Sequence, residues 1–557
     1  MKKGKELTAL RPEKVFLIIG ILFGLLFLVV TPPFQVGEEP SHFFRAYHVS
    51  EFAILASKFH YNKLPPDAIF RIKKDGTFVK LEPEKDENSG IRKKVSQAVP
   101  PAVADKIMYF THCAIDEAKE QVFQFQIIDD NKTLKYEALL KKISGDEVLA
   151  EIRDITTIYK VGAFLPASLT DTYLKVTSDI PFHPEQKQGL QILFTMFNYP
   201  LEPENKSFAK FHNTALYTPL PYIPQAFGIE VGKILNLSPL FLMYLGRLAN
   251  LTVWIFIMYI AIRILPSSKW LFPLLAFTPM SLSQAASVSA DSFTNAMSFL
   301  LIAVFLKYAL NDGKRIGKIK IFILLLLTMS VTLSKYVYLP LLFLFFLIPV
   351  SKFKSKKLYY VTFISLLLVN SIFLGLWSFF TKDIYVSYPF IASVKPEQQL
   401  LFIVNNLIEF FRIIIQTTLL SGQEYLKHFI GVLGWLDTPL PDWLIWSYYF
   451  VLITVALLDS QNDIQINFKN RLVLFAVFTL IGLLIYTAMY LSWTEVGSSI
   501  IRGIQGRYFI PIAPLFFLLF YNRRIRLNER ILGLASAVYM IFVLSCSVYV
   551  LLRRYYW

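Results

Sequence analysis

Apolar residues run through this chain in blocks rather than with a helical or strand period. Residues 321–350 and 472–491 are apolar on every face over about the length that crosses a bilayer, a pattern of membrane spans rather than of half-buried elements in a soluble domain. Blocks of ~16–25 such residues predict about eleven spans, near 15–31, 238–263, 270–286, 291–310, 319–334, 336–350, 357–380, 441–459, 471–491, 506–521 and 530–552. Two long segments, 32–237 and 381–440, interrupt them. In the first, the alternating runs Phe70-Arg-Ile-Lys-Lys and Gln121-Val-Phe-Gln-Phe-Gln-Ile-Ile lie beside turn-forming residues and predict strands. Glu137-Ala-Leu-Leu-Lys-Lys predicts a helix. In the second, Gln399 to Leu420 is amphipathic and is expected to lie along the membrane surface.

The expected fold class is membrane all-α, a polytopic bundle with a small α+β extracytoplasmic insertion. Its expected organisation is a tail and first helix (1–31), an outer segment (32–237), a transmembrane core (238–380), a second outer loop with an interfacial helix (381–440) and the last helices (441–557).

Composition supports the membrane reading. Hydrophobic residues make up 55% of the 557 and charged residues only 17%, with a mean hydropathy of +0.48, whereas about a quarter of a soluble chain is charged. The net charge of +16 suggests nucleic acid until its location is read. Residues 32–237 hold 24 Lys+Arg against 26 Asp+Glu, leaving 32 against 14 elsewhere. That excess sits in the N-terminal tail (Lys2, Lys3, Lys5, Arg11, Lys14) and in short connectors at 307–320, 352–357 and 523–530. Basic residues beside spans mark the cytoplasmic side, so the charge orients the chain and implies membrane lipids, not nucleic acid, as partners. This count leaves Arg553-Arg554 on the outer side. The first apolar run lacks a small-x-small cleavage site at Thr31-Pro-Pro-Phe and is read as an uncleaved anchor. Cys113 and Cys546 offer no disulfide framework.

Ionisable residues beside or within apolar runs are costly and mark function. The predicted topology places Glu38, Glu39, His42, Arg45, Arg247, Asp291, Lys335, Asp437 and Arg507 toward one side of the membrane. In Val36-Gly-Glu-Glu-Pro-Ser-His-Phe-Phe-Arg, Pro40 suits the first turn of a helix that brings an acid, His42 and Arg45 toward one face. A carboxylate there has the chemistry of a general base; the plainer alternative is a solvated helix cap. Glu39 and His42 are two metal-type ligands without a third, so metal dependence stays open. Gln505 and Arg507, with Tyr508 beside them, stand at the mouth of a span, where a guanidinium grips phosphate oxygens bidentately. Lys335 is a second cation, and Trp435 with Asp437 pairs a ring with a carboxylate, as sugar sites do. For these, the alternatives are snorkelling to headgroups and the interfacial aromatic belt.

Seven motifs carry a resemblance that spans nearly the whole chain. They are Pro33-Phe-Gln-Val-Gly-Glu-Glu-Pro-Ser-His-Phe, Ala215-Leu-Tyr-Thr-Pro-Leu-Pro-Tyr-Ile-Pro-Gln, Tyr244-Leu-Gly-Arg-Leu, Pro279 through Ser289-Ala-Asp-Ser, Ser334-Lys-Tyr, Gly431-Val-Leu-Gly-Trp-Leu-Asp and Gln505-Gly-Arg-Tyr-Phe. As a set they resemble bacterial multi-pass membrane proteins of the domain-of-unknown-function type, which are similar to GT-C glycosyltransferases. The resemblance implies transfer of a sugar from a polyprenyl-phosphate carrier to a glycan or lipid-linked acceptor outside the bacterial cytoplasmic membrane. It assigns the base to Glu38, with Glu39 as neighbour, where the family's usual pair is Asp-Glu. The remaining residues, His42, Arg45, Arg247, Asp291, Lys335, Trp435, Asp437, Gln505, Arg507 and Tyr508, are expected around the substrate. Two other functions fit charged residues in apolar surroundings: a flippase for lipid-linked sugars, and a glycan polymerase or ligase using a diphosphate carrier.

Overall fold

The computed structural model describes residues 10–61, 68–72, 78–82, 93–95, 121–129, 132–144, 147–154, 158–177, 179–310, 315–385, 394–460 and 464–557. They divide into two compact units, one of residues 1–57, 161–385 and 397–557, the other of 58–160 and 386–396. The first is mostly helical.

In the second unit, six antiparallel strands form a sheet in the order Lys93–Val95, Phe78–Glu82, Ala68–Ile72, Glu147–Asp154, Lys132–Ser144, Gln121–Asp129. The strands expected at Phe70 and Gln121 are present. The helix expected at Glu137 is not: those residues lie inside Lys132–Ser144, laddered to a neighbour on each side. Pairing along both edges outweighs the helix preference of Glu-Ala-Leu-Leu-Lys, which amounts to only tenths of a kcal/mol per residue.

Among the described residues, six helices, all in the helical unit, are long and apolar enough to cross a membrane: Pro12–Val30, Pro239–Ile264, Ala290–Leu310, Lys356–Thr381, Phe468–Trp493 and Glu529–Tyr555. Helices Pro396–Asn405 and Leu407–Ile430, bent by 108°, satisfy the same test as a pair, as a broken span or a re-entrant loop. This pair contains the stretch read from sequence as an interfacial helix. Ala290–Leu310 is 72% buried over its apolar window and Lys356–Thr381 only 11%, so the former is central and the latter peripheral.

Close packing around the first helix fixes the loop that follows it. Phe16, Phe23 and Phe27 are buried along one face while Ile18, Leu22 and Val29 are exposed along another. Phe16 stacks on Phe277 at 4.7 Å, and Gly24 sits so close to Leu251 that a Cβ would come within 2.8 Å of its side chain.

The block expected as a span at 270–286 is broken into Leu271–Ala276 and Pro279–Ala285. Pro279 cannot donate a helical hydrogen bond, Asp459 accepts from the Trp270 and Leu271 amides at 2.6 and 3.2 Å, and both pieces are wholly buried. Residues 336–347 and 506–512 adopt 3₁₀ geometry, each with an internal proline.

Of the two C-terminal arginines, anomalous for the charge rule, Arg554 is explained by pairing. Arg554 is buried, 3.0 Å from Asp437 Oδ2, and donates to the carbonyls of Ile180 and Gln186. Lys187 caps the helix by donating to the carbonyls of Arg553 and Arg554. Tyr555 donates to the Gln35 carbonyl at 3.3 Å, and Gly37 donates to that of Gly434 at 3.1 Å. The chain end, the loop after the first helix and the 431–438 turn therefore form one cap.

Gly506 tests this packing. A Cβ there would lie 1.9 Å from the Tyr425 carbonyl and 2.5 Å from the Phe429 amide nitrogen, both backbone atoms that cannot swing away. Gly506→Ala is expected to lower the unfolding temperature in detergent markedly or to prevent recovery of folded protein. Gly375→Ala, with nothing within 4 Å and a helical position, is expected to be neutral or stabilising by up to about 1 kcal/mol.

Candidate functional site

Glu38 and Glu39 are adjacent in sequence and diverge in space. The helix Glu39–Ser50 begins with proline in its first turn, as expected, but Glu38 precedes it in the left-handed region (φ 64°, ψ 5°) and makes no side-chain cap. This conformation is costly for a residue with a Cβ, and it turns the two carboxylates to different partners.

Glu39 is fully buried against Arg247. Arg247 Nε donates to Oε1 at 2.8 Å and Nη2 to Oε2 at 2.6 Å. The remaining guanidinium hydrogens go to the carbonyls of Leu28, Thr31 and Pro32 at 2.8–3.1 Å. All five donors of the arginine are thus used, and Oε1 also accepts from the Val288 amide at 3.2 Å. The pair is saturated, and it joins the first helix, the loop after it, the helix Pro239–Ile264 and the turn before the central helix.

Glu38 belongs to a second cluster. Its side chain is 27% exposed, and its Oε2 lies 3.8 Å from Arg507 Nη2. Arg507 Nη1 lies 4.0 Å from Asp291 Oδ2, and Asp291 Oδ1 pairs with Lys335 Nζ at 2.5 Å. Asp291 stands in the first turn of the central helix, where it also accepts from Gln284 Nε2 at 3.3 Å. Lys335 is the cap residue at the end of Lys318–Ser334, and its ammonium lies 5.2 and 5.6 Å from the Tyr508 and Tyr217 rings. Two carboxylates and two cations leave the cluster formally neutral.

Arg507 is the unsatisfied member. Among the described residues it makes no hydrogen bond: its carboxylate contacts of 3.8 and 4.0 Å exceed hydrogen-bond reach, its Nε has no partner, and its side chain is 7% exposed. A guanidinium so placed forgoes much of its interaction energy. The Gln505 Oε1 is likewise buried without a partner.

His42 is within the electrostatic influence of Asp291, Arg507 and Lys335. Its Nδ1 is 2.8 Å from the Tyr222 hydroxyl, and burial pushes the imidazole down to about 3 against the opposing pull of Asp291. Near neutral pH it is an uncharged hydrogen-bonding group, not a cation for an anionic ligand.

Other expected residues hold the scaffold. Arg45 donates to the carbonyls of Ile54 and Tyr217 and bonds His48. Asp437 accepts from Arg554, Thr438 and the amides of Phe182 and Trp435 at 3.0–3.2 Å, leaving its carboxylate little capacity for a sugar. The Trp435 indole donates to the Phe34 carbonyl at 3.0 Å. Sequence reasoning quoted Tyr217, Tyr222 and Gln284 within motifs without giving them a role, and passed over Asn295, which donates to Gln284 Oε1 at 3.0 Å and so steadies the partner of Asp291. The prolines at 219 and 221 were the available signal for the two tyrosines, because they fix a short turn between them. No group of three or more His, Cys, Asp or Glu poised for a metal occurs among the described residues.

Removing one member of the saturated pair strands the other in a dry environment, which costs about 3–5 kcal/mol. Arg247→Met is therefore expected to lower the unfolding temperature sharply in detergent, and Glu39→Gln combined with Arg247→Met to recover part of the loss. Equal unfolding temperatures for wild type and Arg247→Met would contradict this role.

Comparison with the curated proteins and with the solved structures yields no match. A family profile matches residues 151–516 and is described as a predicted membrane protein, DUF2142. That stretch covers well over half the chain and includes Arg247, Asp291, Lys335, Asp437 and Arg507. The chain therefore belongs to this family of predicted membrane proteins.

Proposed function

We propose that the protein is an integral-membrane glycosyltransferase of GT-C type, which moves a sugar from a polyprenyl-phosphate carrier to an acceptor outside the bacterial cytoplasmic membrane. The observation that supports this best is the pairing of a buried, unsatisfied guanidinium, Arg507, with a partly exposed carboxylate, Glu38, 3.8 Å away. One supplies a place for phosphate oxygens; the other supplies a base beside it.

In this mechanism Glu38 takes the proton of an acceptor hydroxyl. The hydroxyl oxygen attacks the anomeric carbon with inversion as the bond from that carbon to the phosphate oxygen breaks. Polyprenyl phosphate leaves with the electron pair, and its charge develops beside Arg507, where a preorganised donor stabilises it most. Lys335, held by Asp291, contributes field rather than contact. Glu39 keeps the loop in place and takes no proton.

The proposal includes the full set of about eleven spans with the Glu38 loop on the extracytoplasmic side. Residues 336–347 in 3₁₀ geometry extend about 24 Å at ~2.0 Å per residue, nearer the ~30 Å hydrocarbon thickness than their number suggests. The basic connectors at 315–320, 352–357 and 523–530 then face the cytoplasm, while Arg554 is exempt because Asp437 neutralises it.

Glu38→Gln keeps the shape of the base and removes its charge; transfer is expected to fall at least ~100-fold with membrane insertion unchanged. Arg507→Lys keeps the charge and loses the planar fork, and is expected to cause a substantial loss that saturating acceptor does not restore. Both are read from the surface-glycan composition of cells lacking the gene and complemented with each variant. One sugar should be missing in the deletion, and it should return with wild type but not with Glu38→Gln. An unaltered glycan in the deletion would overturn the proposal.

A further inference from the structure

The helix Ile223–Ile234 turns an apolar face outward. Its exposed residues are Ile223, Phe227, Val231 and Ile234, which form one stripe at helical spacing, with Phe227 69% and Ile234 71% exposed. Its charged residues, Glu230 and Lys233, are half-buried and paired with each other at 2.7 Å, and Lys233 also donates to Ser50 Oγ at 3.3 Å. A helix that faced water would show the reverse arrangement.

The opposite face packs on the helix Pro239–Ile264, which runs antiparallel to it. Gly228 and Gly232 let the two backbones approach: a Cβ at Gly228 would press on the Leu245 carbonyl and come within 2.9 Å of the Ala249 side chain, and one at Gly232 would meet Leu242 and Leu245. Gly-x-x-x-Gly contacts of this kind associate helices in hydrocarbon, where close packing replaces the hydrophobic effect. The turn between the helices is polar, with Asn236 in the left-handed region (φ 52°) and Ser238 capping the second helix by accepting from the Phe241 amide. On Pro239–Ile264, the side that carries the short helix (Leu242, Leu245, Ala249) continues by helical spacing to Thr252 and Phe256, which are exposed. Phe256 lies well inside a helix long and apolar enough to cross a membrane, so the outward stripe at 223–234 prolongs a face that meets lipid.

We propose that Ile223–Ile234 is immersed in one leaflet of the bilayer, with lipid acyl chains as the occupant of its outward face. The inference does not depend on the transferase reading. At ~1.5 Å per residue the helix is about 18 Å long, little more than half the ~30 Å hydrocarbon thickness, so it dips in without crossing. Its antiparallel packing puts Ile223 deepest and Ile234 nearest the polar turn, with Glu230 and Lys233 toward the headgroups. The segment 32–237, expected wholly outside, thereby contains a membrane-inserted stretch. The helix Glu39–Ser50 rests on it at both ends: His42 bonds the hydroxyl of Tyr222, just before the short helix, at 2.8 Å, and Lys233 at its end reaches Ser50 and the Tyr47 ring. The acidic loop is therefore tied to an element anchored in lipid.

The test uses the full chain in phosphatidylcholine nanodiscs, with Cys113 and Cys546 replaced by Ser and a nitroxide on a single introduced cysteine. Electron paramagnetic resonance then measures collisions of the nitroxide with oxygen, which partitions into hydrocarbon, and with a water-soluble nickel chelate. Glu204→Cys, on an exposed turn, gives the water reference, and Phe256→Cys gives the lipid reference. Phe227→Cys alters an exposed position and leaves the glycine contacts in place. Its oxygen-to-nickel collision ratio is expected to be several-fold above that of Glu204→Cys and close to that of Phe256→Cys, with Ile223→Cys reporting greater depth than Ile234→Cys. A ratio equal to that of Glu204→Cys places the helix in water and overturns the proposal. Few collisions with either reagent show that protein covers the face, a second copy or another partner, and overturn lipid as its occupant.

Discussion

A charge withdrawn from water must find its partners inside the protein, and the rest of this structure depends on how Arg247 meets that demand. It enters the helix Pro239–Ile264 at a buried position and spends every donor it has on Glu39 and on three carbonyls of the chain around the end of the first helix. The energetic case for such a pair is not that it adds stability over an apolar core, since desolvation offsets much of the attraction. Its consequence is geometric. These bonds tie the first helix, the loop after it and the helix Pro239–Ile264 together, and in that arrangement Glu38 points the other way.

The buried charges differ in how firmly hydrogen bonds hold them. Arg247–Glu39 is a buried pair whose remaining valences are filled by backbone groups, and Arg554–Asp437 is a buried pair in direct contact that also bonds backbone groups, with Arg554 Nε left over. Lys335–Asp291 is a close pair steadied by Gln284. Arg507 has charge neighbours without hydrogen bonds, and Glu38 is the carboxylate of its cluster with the greatest exposure. Chemistry needs groups that are held in place yet retain capacity for a ligand, and these two have both properties.

Much of this was legible in the sequence, and the physical reason is consistent. Apolar blocks announce spans because hydrocarbon tolerates little else, so the six long helices and the start of Glu39–Ser50 at Pro40 were readable. Asp291, Lys335 and Arg507 stood out because each is expensive beside apolar runs. What one chain cannot display is pairing: Arg247 and Glu39 are 208 positions apart, and with partners hidden Lys335 looked like a free cation and Asp437 like a sugar ligand. The break at 277–278 was concealed by the apolar residues on either side, which suit a buried broken helix as well as a span. The strand at Glu137 was concealed because its neighbours supply the pairing that its own residues do not specify.

The most direct test follows a label rather than a variant. Purified protein reconstituted in liposomes is given a polyprenyl-phosphate sugar radiolabelled in the sugar, together with a membrane fraction containing the surface-glycan acceptors. The transferase account predicts that label passes into the acceptor while unlabelled polyprenyl phosphate accumulates in equal amount. Label that crosses the bilayer still attached to its carrier, with none transferred, would contradict it and identify the protein as a carrier of lipid-linked sugars.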